Sequence, residues 1–452
     1  MNISILLYMI WKKFKNTLLI NYSSIIIIAI SISALVVYYV ISITSNGVQK
    51  NKVTEIYFAD NISSAHQSVI DRFNKKFEGK IKVTPIDLPF LKFSTNERKE
   101  LLTRALRSKS ERIDVFAVDL IWVPRFAKWC QPLDEFFPDV KSDGFLAYAM
   151  ESCIVDDYLA AVPFYIDVSM MYYRIDLLKK IPNYKKLIPK LESSITWEEF
   201  LSLSKYFDSN KNPFYLFPAD DYEGLICSYF ELILSQDPDF FKKGEYNLNE
   251  GAPRKSLELL VDLVNKYKVS PKIITSFDEN DAYHYFLEND GVFLRGWPGF
   301  QKDNKNFSHD LSKEKLIKKA ALPHFKSSSS GSVFGGWNLM VSKFSANKKE
   351  VVEFIKFVVS EEAQEILFNE GSFLPVRSKF YQNQKYLSEF PEIVYLKKLL
   401  DKGIHRPFLK DYTRVSDIIS YYVKRAIKNE VTIDMALMEA EKMIKTNKVI
   451  IK

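Results

Sequence analysis

Between Val53 and Leu120 the hydrophobic pattern of this chain alternates between two periods. VTEIYFAD (53–60) reads as a strand. SSAHQSVIDRFNKKF (63–77) carries Val69, Ile70, Phe73 and Phe77 at helical spacing, with Ser63 or Ser64 placed to cap it. IKVTPIDL (81–88) is a second strand. NERKELLTRALRSKSER (96–112) is a helix with Leu101, Leu102, Ala105 and Leu106 on one face, and IDVFAVDL (113–120) is a third strand. Strands separated by helices argue for a parallel sheet with helical crossovers. In such sheets ligands sit beyond the carboxyl ends of the strands. The polar residues there are Asp60, Asn61 and Asp119, with Trp122 just beyond, and all are expected to face one crevice.

A second series starts near Pro163. AVPFYIDVSMMYYR (161–174) is strand-like and leads into the helix IDLLKK. ITWEEFLSLSKYF has Thr196 as a cap with Glu199 three residues on. GLICSYFELILSQ (224–236) is an apolar helix, and PRKSLELLVDLVNKY (253–267) is amphipathic through Leu257, Leu260, Val261 and Val264. The chain returns through GVFLRGWP, AALPHF and GGWNLMVS. KKEVVEFIKFVVSEEAQEILFNEG (348–371) reads as one helix with Gly371 as its stop. VSDIISYYVKRAIKN and IDMALMEAEKMIK close the chain as helices. The serine run Ser327 to Ser330 reads as a mobile loop.

At 452 residues the chain has room for two or three domains. Its 47% hydrophobic and 26% charged residues are ordinary globular values. The net charge of +7 is interspersed, with no concentrated basic stripe, so a nucleic-acid partner has no support. Cys130, Cys153 and Cys227 fit no zinc or redox spacing and read as buried free thiols. The five histidines stand singly, so neither a metal nor a cofactor is expected.

The N-terminus holds no charge between Lys15 and Lys50. Within it Ile25 to Ile43 is almost wholly apolar, the length of a helix crossing a core of about 30 Å. Lys12, Lys13 and Lys15 precede it, which places the N-terminus in the cytoplasm and the remainder outside. A cleavable signal peptide is the rival. Its apolar region is normally about 7–15 residues and ends in a small-residue site, for which Ser42-Ile43-Thr44 is a poor match. No cysteine follows to carry a lipid. The expectation is an uncleaved signal anchor (1–51, including a polar linker from Asn46) that holds a large domain on the extracytoplasmic side.

In their order along the chain, DVFAVDLIWVPRFAKWCQPLD, AVPFYIDVSMMYYRIDLLKK, TWEEF, YEGLICSYFE, GVFLRGWP, ALPHF, GGWNLMVS, EEAQEILFNEGSFLPVRS and HRPFLKDYTRVSDII resemble the family 1 extracellular solute-binding proteins. These are the sugar receptors of ABC importers and include the maltose- and trehalose-binding proteins. The resemblance covers nearly everything after residue 52, with the GGWN and EEAQ…G..LPVR segments the most specific. It implies a class II periplasmic-binding-protein-like fold, two α/β lobes around a hinge crossed near Pro163, Pro323 and Pro375. Lobe one is then 52–163 with 323–375, and lobe two 164–322 with 376–452.

Sugar recognition uses carboxylates for hydroxyls, arginine for bidentate contacts and aromatic faces for stacking. The resemblance places such groups at Asp119, Tyr165, Asp167, Trp297, Trp337 and Arg406, with Glu223 and the glycines Gly335 and Gly336 as further matches. Trp297 and Trp337 would face each other across the cleft, one from each lobe. Taken singly, each reads as a core tryptophan at a turn. Glu223 reads equally as a solvated carboxylate or a charge at a helix N-terminus. Arg295 leans to the cleft but could cover the lobe surface. Trp122 is equally core or contact, and Asn61 enters on position alone. Trp129 and Trp197 read as packing residues.

The resemblance implies a non-enzymatic protein that closes on sugar or oligosaccharide and delivers it to ABC permease subunits. A monomer is expected, held to the membrane by the N-terminal helix, a departure from the family's secreted members, which usually carry a cleaved signal or a lipidated cysteine. A membrane-anchored glycoside-processing enzyme with Asp119 and Asp167 as paired carboxylates is one alternative. A ligand-sensing receptor subunit is another.

Overall fold

The computed structural model describes residues 3–47, 53–90, 92–109, 112–138, 144–209, 211–243, 246–300, 311–409 and 411–450. The chain forms two compact units, one up to Thr54 and one from Glu55 onward. The N-terminal unit is a single helix, Ile3–Gly47, with its described apolar side chains exposed. Among the described residues no helix is long and apolar enough to cross a membrane. The spanning segment expected at Ile25–Ile43 therefore finds no support among them. The side chains of Ile41 to Ile43, the linker residues 48–52 and the polar stretch 301–310 lie outside the described residues.

The second unit is built on two main sheets. Its strands are β1 (Thr54–Asp60), β2 (Ile81–Asp87), β3 (Val115–Asp119), β4 (Val162–Val168), β5 (Met170–Arg174), β6 (Tyr215–Leu216), β7 (Phe293–Gly296), β8 (Ile317–Ala320) and β9 (Phe334–Val341). The first sheet runs β2-β1-β3-β9-β4 and the second β8-β5-β7-β6. The expected parallel pairing holds for β1 and β3, with Phe58 opposite Val115. β9 then runs antiparallel between β3 and β4. The stretch 161–174 is two strands rather than one. The break falls at Ser169, whose hydroxyl accepts from the Val333 N–H, and β4 and β5 on either side belong to different sheets. Both halves are almost wholly buried, so no periodicity marked the break.

The first sheet is covered by helices Ser64–Lys76 and Lys348–Val358. Phe58 packs on Phe354 at 5.5 Å between ring centroids, and Phe73 on Phe354 at 5.1 Å. Ser63 is the cap of the first helix and accepts from the His66 N–H. Thr196 accepts from the Glu199 N–H as expected. The segment 348–371 divides into Lys348–Val358 and Glu361–Gly371, because Ser360 caps the second helix through the Ala363 N–H. Gly371 is the last helical residue, and Ser372 beyond it takes the left-handed conformation at φ 56°. Cys130, Cys153 and Cys227 are free and buried. Trp129 packs on Phe126 and Trp197 on Phe200 and Tyr215, as packing residues.

Candidate ligand-binding site

The ladder around β9 places four candidate side chains by register. Trp337 lies opposite Asp119 on β3 and opposite Tyr165 on β4, while Gly335 lies opposite Asp167. Directly opposed residues share a face of the sheet. Asp119, Trp337 and Tyr165 therefore form one row across three strands. Between Gly335 and Trp337 the chain turns through Gly336 at φ 118°, and a Cβ there would lie 2.5 Å from the Tyr165 carbonyl oxygen. Only glycine fits that position.

A cavity of about 150 Å³ opens in front of this row. Asp119, Tyr165, Asp167, Gly335, Gly336 and Trp337 border it from the first sheet. Glu223, Trp297 and Arg406 close it from the other elements, with Cys227 beside them. Trp297 follows the end of β7, and its carbonyl accepts from the Tyr172 hydroxyl at 2.5 Å. Its six-membered ring lies where a Gly335 side chain would be, since a Cβ there would sit 2.7 Å from a ring carbon. Trp297 thus covers β9 two residues from Trp337. Both indoles border the cavity, as neighbouring parts of its wall.

Arg406, 1% exposed, ties the site together. It donates through Nη2 to Asp119 at 2.6 Å and through Nη1 to Glu223 at 2.7 Å. The Tyr412 hydroxyl also donates to Glu223. Glu223 opens helix Glu223–Gln236, where its charge meets the positive end of the helix dipole. Burial nonetheless pushes its carboxyl up to about 7, against the pull of Arg406. Burial likewise raises the Cys227 thiol. Among the described residues no group of side chains could hold a metal ion.

Three expected site residues lie elsewhere. Arg295 is buried behind Trp297 and paired with Glu231, its guanidinium carbon 4.3 Å from the indole centroid. Trp122 is 2% exposed in the core, where the long apolar run after β3 carries it. Asn61 is set back from the cavity and accepts from the Phe90 N–H at 3.2 Å.

Several wall residues escaped sequence reading: Phe90, Tyr222, Asp278, Glu279, Phe300 and Phe373. Phe90 stands in a loop and Asp278 is the cap of helix Glu279–Glu288, so neither carries a periodic signal. Burial raises the Asp278 carboxyl to about 6. Arg98, behind the wall, did carry one. It falls at i−4 from Leu102 on the buried face of helix Thr95–Arg107, a charge on an apolar stripe.

A sequence profile described as bacterial extracellular solute-binding protein matches residues 58–365, more than half of the 452. The chain belongs to this family. The solute-binding protein is similar to a probable ABC transporter-binding protein of Deinococcus radiodurans, 24% identical over 391 residues that cover 82% of this chain and 88% of that one. Among solved structures it is similar to maltose-bound MalE3 of T. maritima, with a TM-score of 0.77 at 24% identity, covering 87% of this chain and 100% of the other. It is also similar to the GacH receptor of Streptomyces glaucescens, solved unliganded and with acarbose. That match has a TM-score of 0.73 at 20% identity over 87% and 98% of the two chains. The α/β fold is therefore that of the periplasmic-binding-protein-like receptors.

Proposed function

We propose that this solute-binding protein captures a sugar or oligosaccharide in the cavity beside β9 and delivers it to an ABC importer on the extracytoplasmic side. The observation that carries this reading is the convergence of two indoles, several carboxylates and buried Arg406 on one cavity. Indole faces suit the C–H patch of a sugar ring, and carboxylates with a guanidinium suit its hydroxyls. Relatives of the same fold were solved with maltose and with acarbose. In this reading Asp119, Asp167 and Glu223 accept from hydroxyls, Arg406 holds the first and third of them in place, and Trp297, Trp337 and Tyr165 supply ring faces.

The lobes meet at the cavity, and since β4 belongs to the first sheet the crossing expected near Pro163 is taken at Ser169: 52–168 with 323–375 on one side, 170–322 with 376–452 on the other. Ligand touching both sides favours the closed arrangement. The N-terminal helix, with exposed apolar residues after Lys12, Lys13 and Lys15, keeps the binding unit at the membrane surface. Fractionation with alkaline extraction of the pellet tests that attachment. Recovery of the whole chain in the soluble fraction would remove it.

A thermal-shift panel of gluco-oligosaccharides tests binding itself. A ligand at about 100 times its Kd adds roughly 2.7 kcal/mol of apparent stability. At least one member is expected to raise Tm. A panel of neutral and charged sugars that leaves Tm unchanged contradicts the sugar reading.

A further inference from the structure

Arg98 is the anomaly behind the cavity wall. It is 1% exposed, and among the described residues its side chain makes a single hydrogen bond, from Nη2 to Asp60 Oδ1 at 2.6 Å. Its Nε and Nη1 find no acceptor among the described residues. Burying a guanidinium with most of its donors unused is costly. The compensation lies in the two rings beside it. The Arg98 guanidinium carbon is 4.3 Å from the Phe90 ring centroid and 4.2 Å from that of Trp337. Those two rings are themselves 5.9 Å apart at 73°, and both border the cavity. Seen from the guanidinium carbon the two centroids lie roughly at a right angle, so the cation sits in the corner that the rings form and makes a cation–π contact with each.

The same device recurs under the other indole. Arg295, also 1% exposed, lies 4.3 Å from the Trp297 centroid, is paired with buried Glu231, and leaves Nη1 without an acceptor among the described residues. The two arginines come from unrelated elements, helix Thr95–Arg107 and strand β7. Their carboxylates come from the end of β1 and from helix Glu223–Gln236. Two independent constructions of one arrangement, each on a cavity indole, point to a requirement of the wall rather than of the core.

We propose that Arg98 is a positioning residue of the ligand site. Its guanidinium, wedged in the corner between Phe90 and Trp337, fixes the two rings and covers one face of the Trp337 indole, so that only the other face is offered to a sugar ring. Arg295 does the same for Trp297. Asp60 holds Arg98 in register, with His66 Nε2 3.9 Å from the second Asp60 oxygen. The proposal rests on the cavity being the sugar site.

The test compares the full chain with its Arg98→Lys and Trp337→Phe variants. Lysine keeps the charge facing Asp60 and removes the plane. Without ligand, the near-UV circular dichroism band lost in Trp337→Phe is expected to be largely lost in Arg98→Lys as well, while Tm stays within about 10 °C of the parent. With maltotriose as probe, Arg98→Lys is expected to bind at least tenfold more weakly. An unchanged band, or parental affinity, overturns the positioning role. So does a Tm more than about 10 °C lower, which would make Arg98 a structural ion pair. A parent that binds neither maltotriose nor any other sugar, with the band still lost in Arg98→Lys, defeats the sugar reading and leaves the placement of the rings standing.

Discussion

At the scale of single residues the site depends on one absent side chain and one displaced proton. Gly335 is small because Trp297 occupies the space its Cβ would need, 2.7 Å from a ring carbon. Gly335→Ala is therefore expected to push the indole into the cavity and weaken sugar binding about tenfold, roughly 1.4 kcal/mol. Isothermal titration checks it, and unchanged affinity would show that the indole yields freely. Glu223 is pushed up to about 7 by burial, from an ordinary value of 4.5. The folded protein then keeps a proton that the unfolded chain releases, so Glu223 makes stability fall as pH rises from about 4.5 to 7. His405, pushed down to about 4 by burial, acts in the opposite sense. Its contribution is lost as pH falls from 6.5 toward 4. The readable quantity is therefore the difference between parent and Glu223→Gln. In denaturation across pH 4.5–7 the stability of the parent minus that of the variant is expected to fall as pH rises, since His405 and Asp278 act alike in both. Parallel curves would mean that Glu223 is ionised throughout.

At the scale of elements, what was legible in the sequence and what was not divide on physical grounds. The strands and helices from Val53 to Leu120 were legible because each buries one face and changes period from its neighbour. The break at Ser169 was not, since β4 and β5 are buried on both faces and read as one apolar run. Ser360 was hidden for a related reason, because the helices on either side of it continue the same spacing. The candidate site followed the same rule. Asp119 and Asp167 interrupt apolar strands and stood out, whereas Phe90, in a loop, had no pattern to break. Arg295 was noticed and misplaced, because its partner Glu231 lies 64 residues away in sequence. The end of helix Glu361–Gly371 offers a local test. Ser372 holds φ 56°, a conformation that costs a non-glycine residue. Ser372→Gly is expected to stabilise the protein by about 0.5 kcal/mol in urea unfolding. A loss of stability would show that the serine side chain contributes more than its backbone strain removes.

At the scale of the molecule, two sheets of different order carry the cavity at their meeting point. β9 crosses into the first sheet and presents Trp337, while β7 ends the second just before Trp297. Arg406, reaching Asp119 and Glu223 from the segment before helix Tyr412–Ile427, joins the two sides. The tryptophans that read singly as core residues thus become adjoining faces of one wall. Tryptophan fluorescence during a sugar titration, on the parent and on Trp297→Ala and Trp337→Ala, tests this most directly. The account predicts a saturable signal in the parent and an affinity at least tenfold weaker in each variant. Parental affinity in both variants would contradict it.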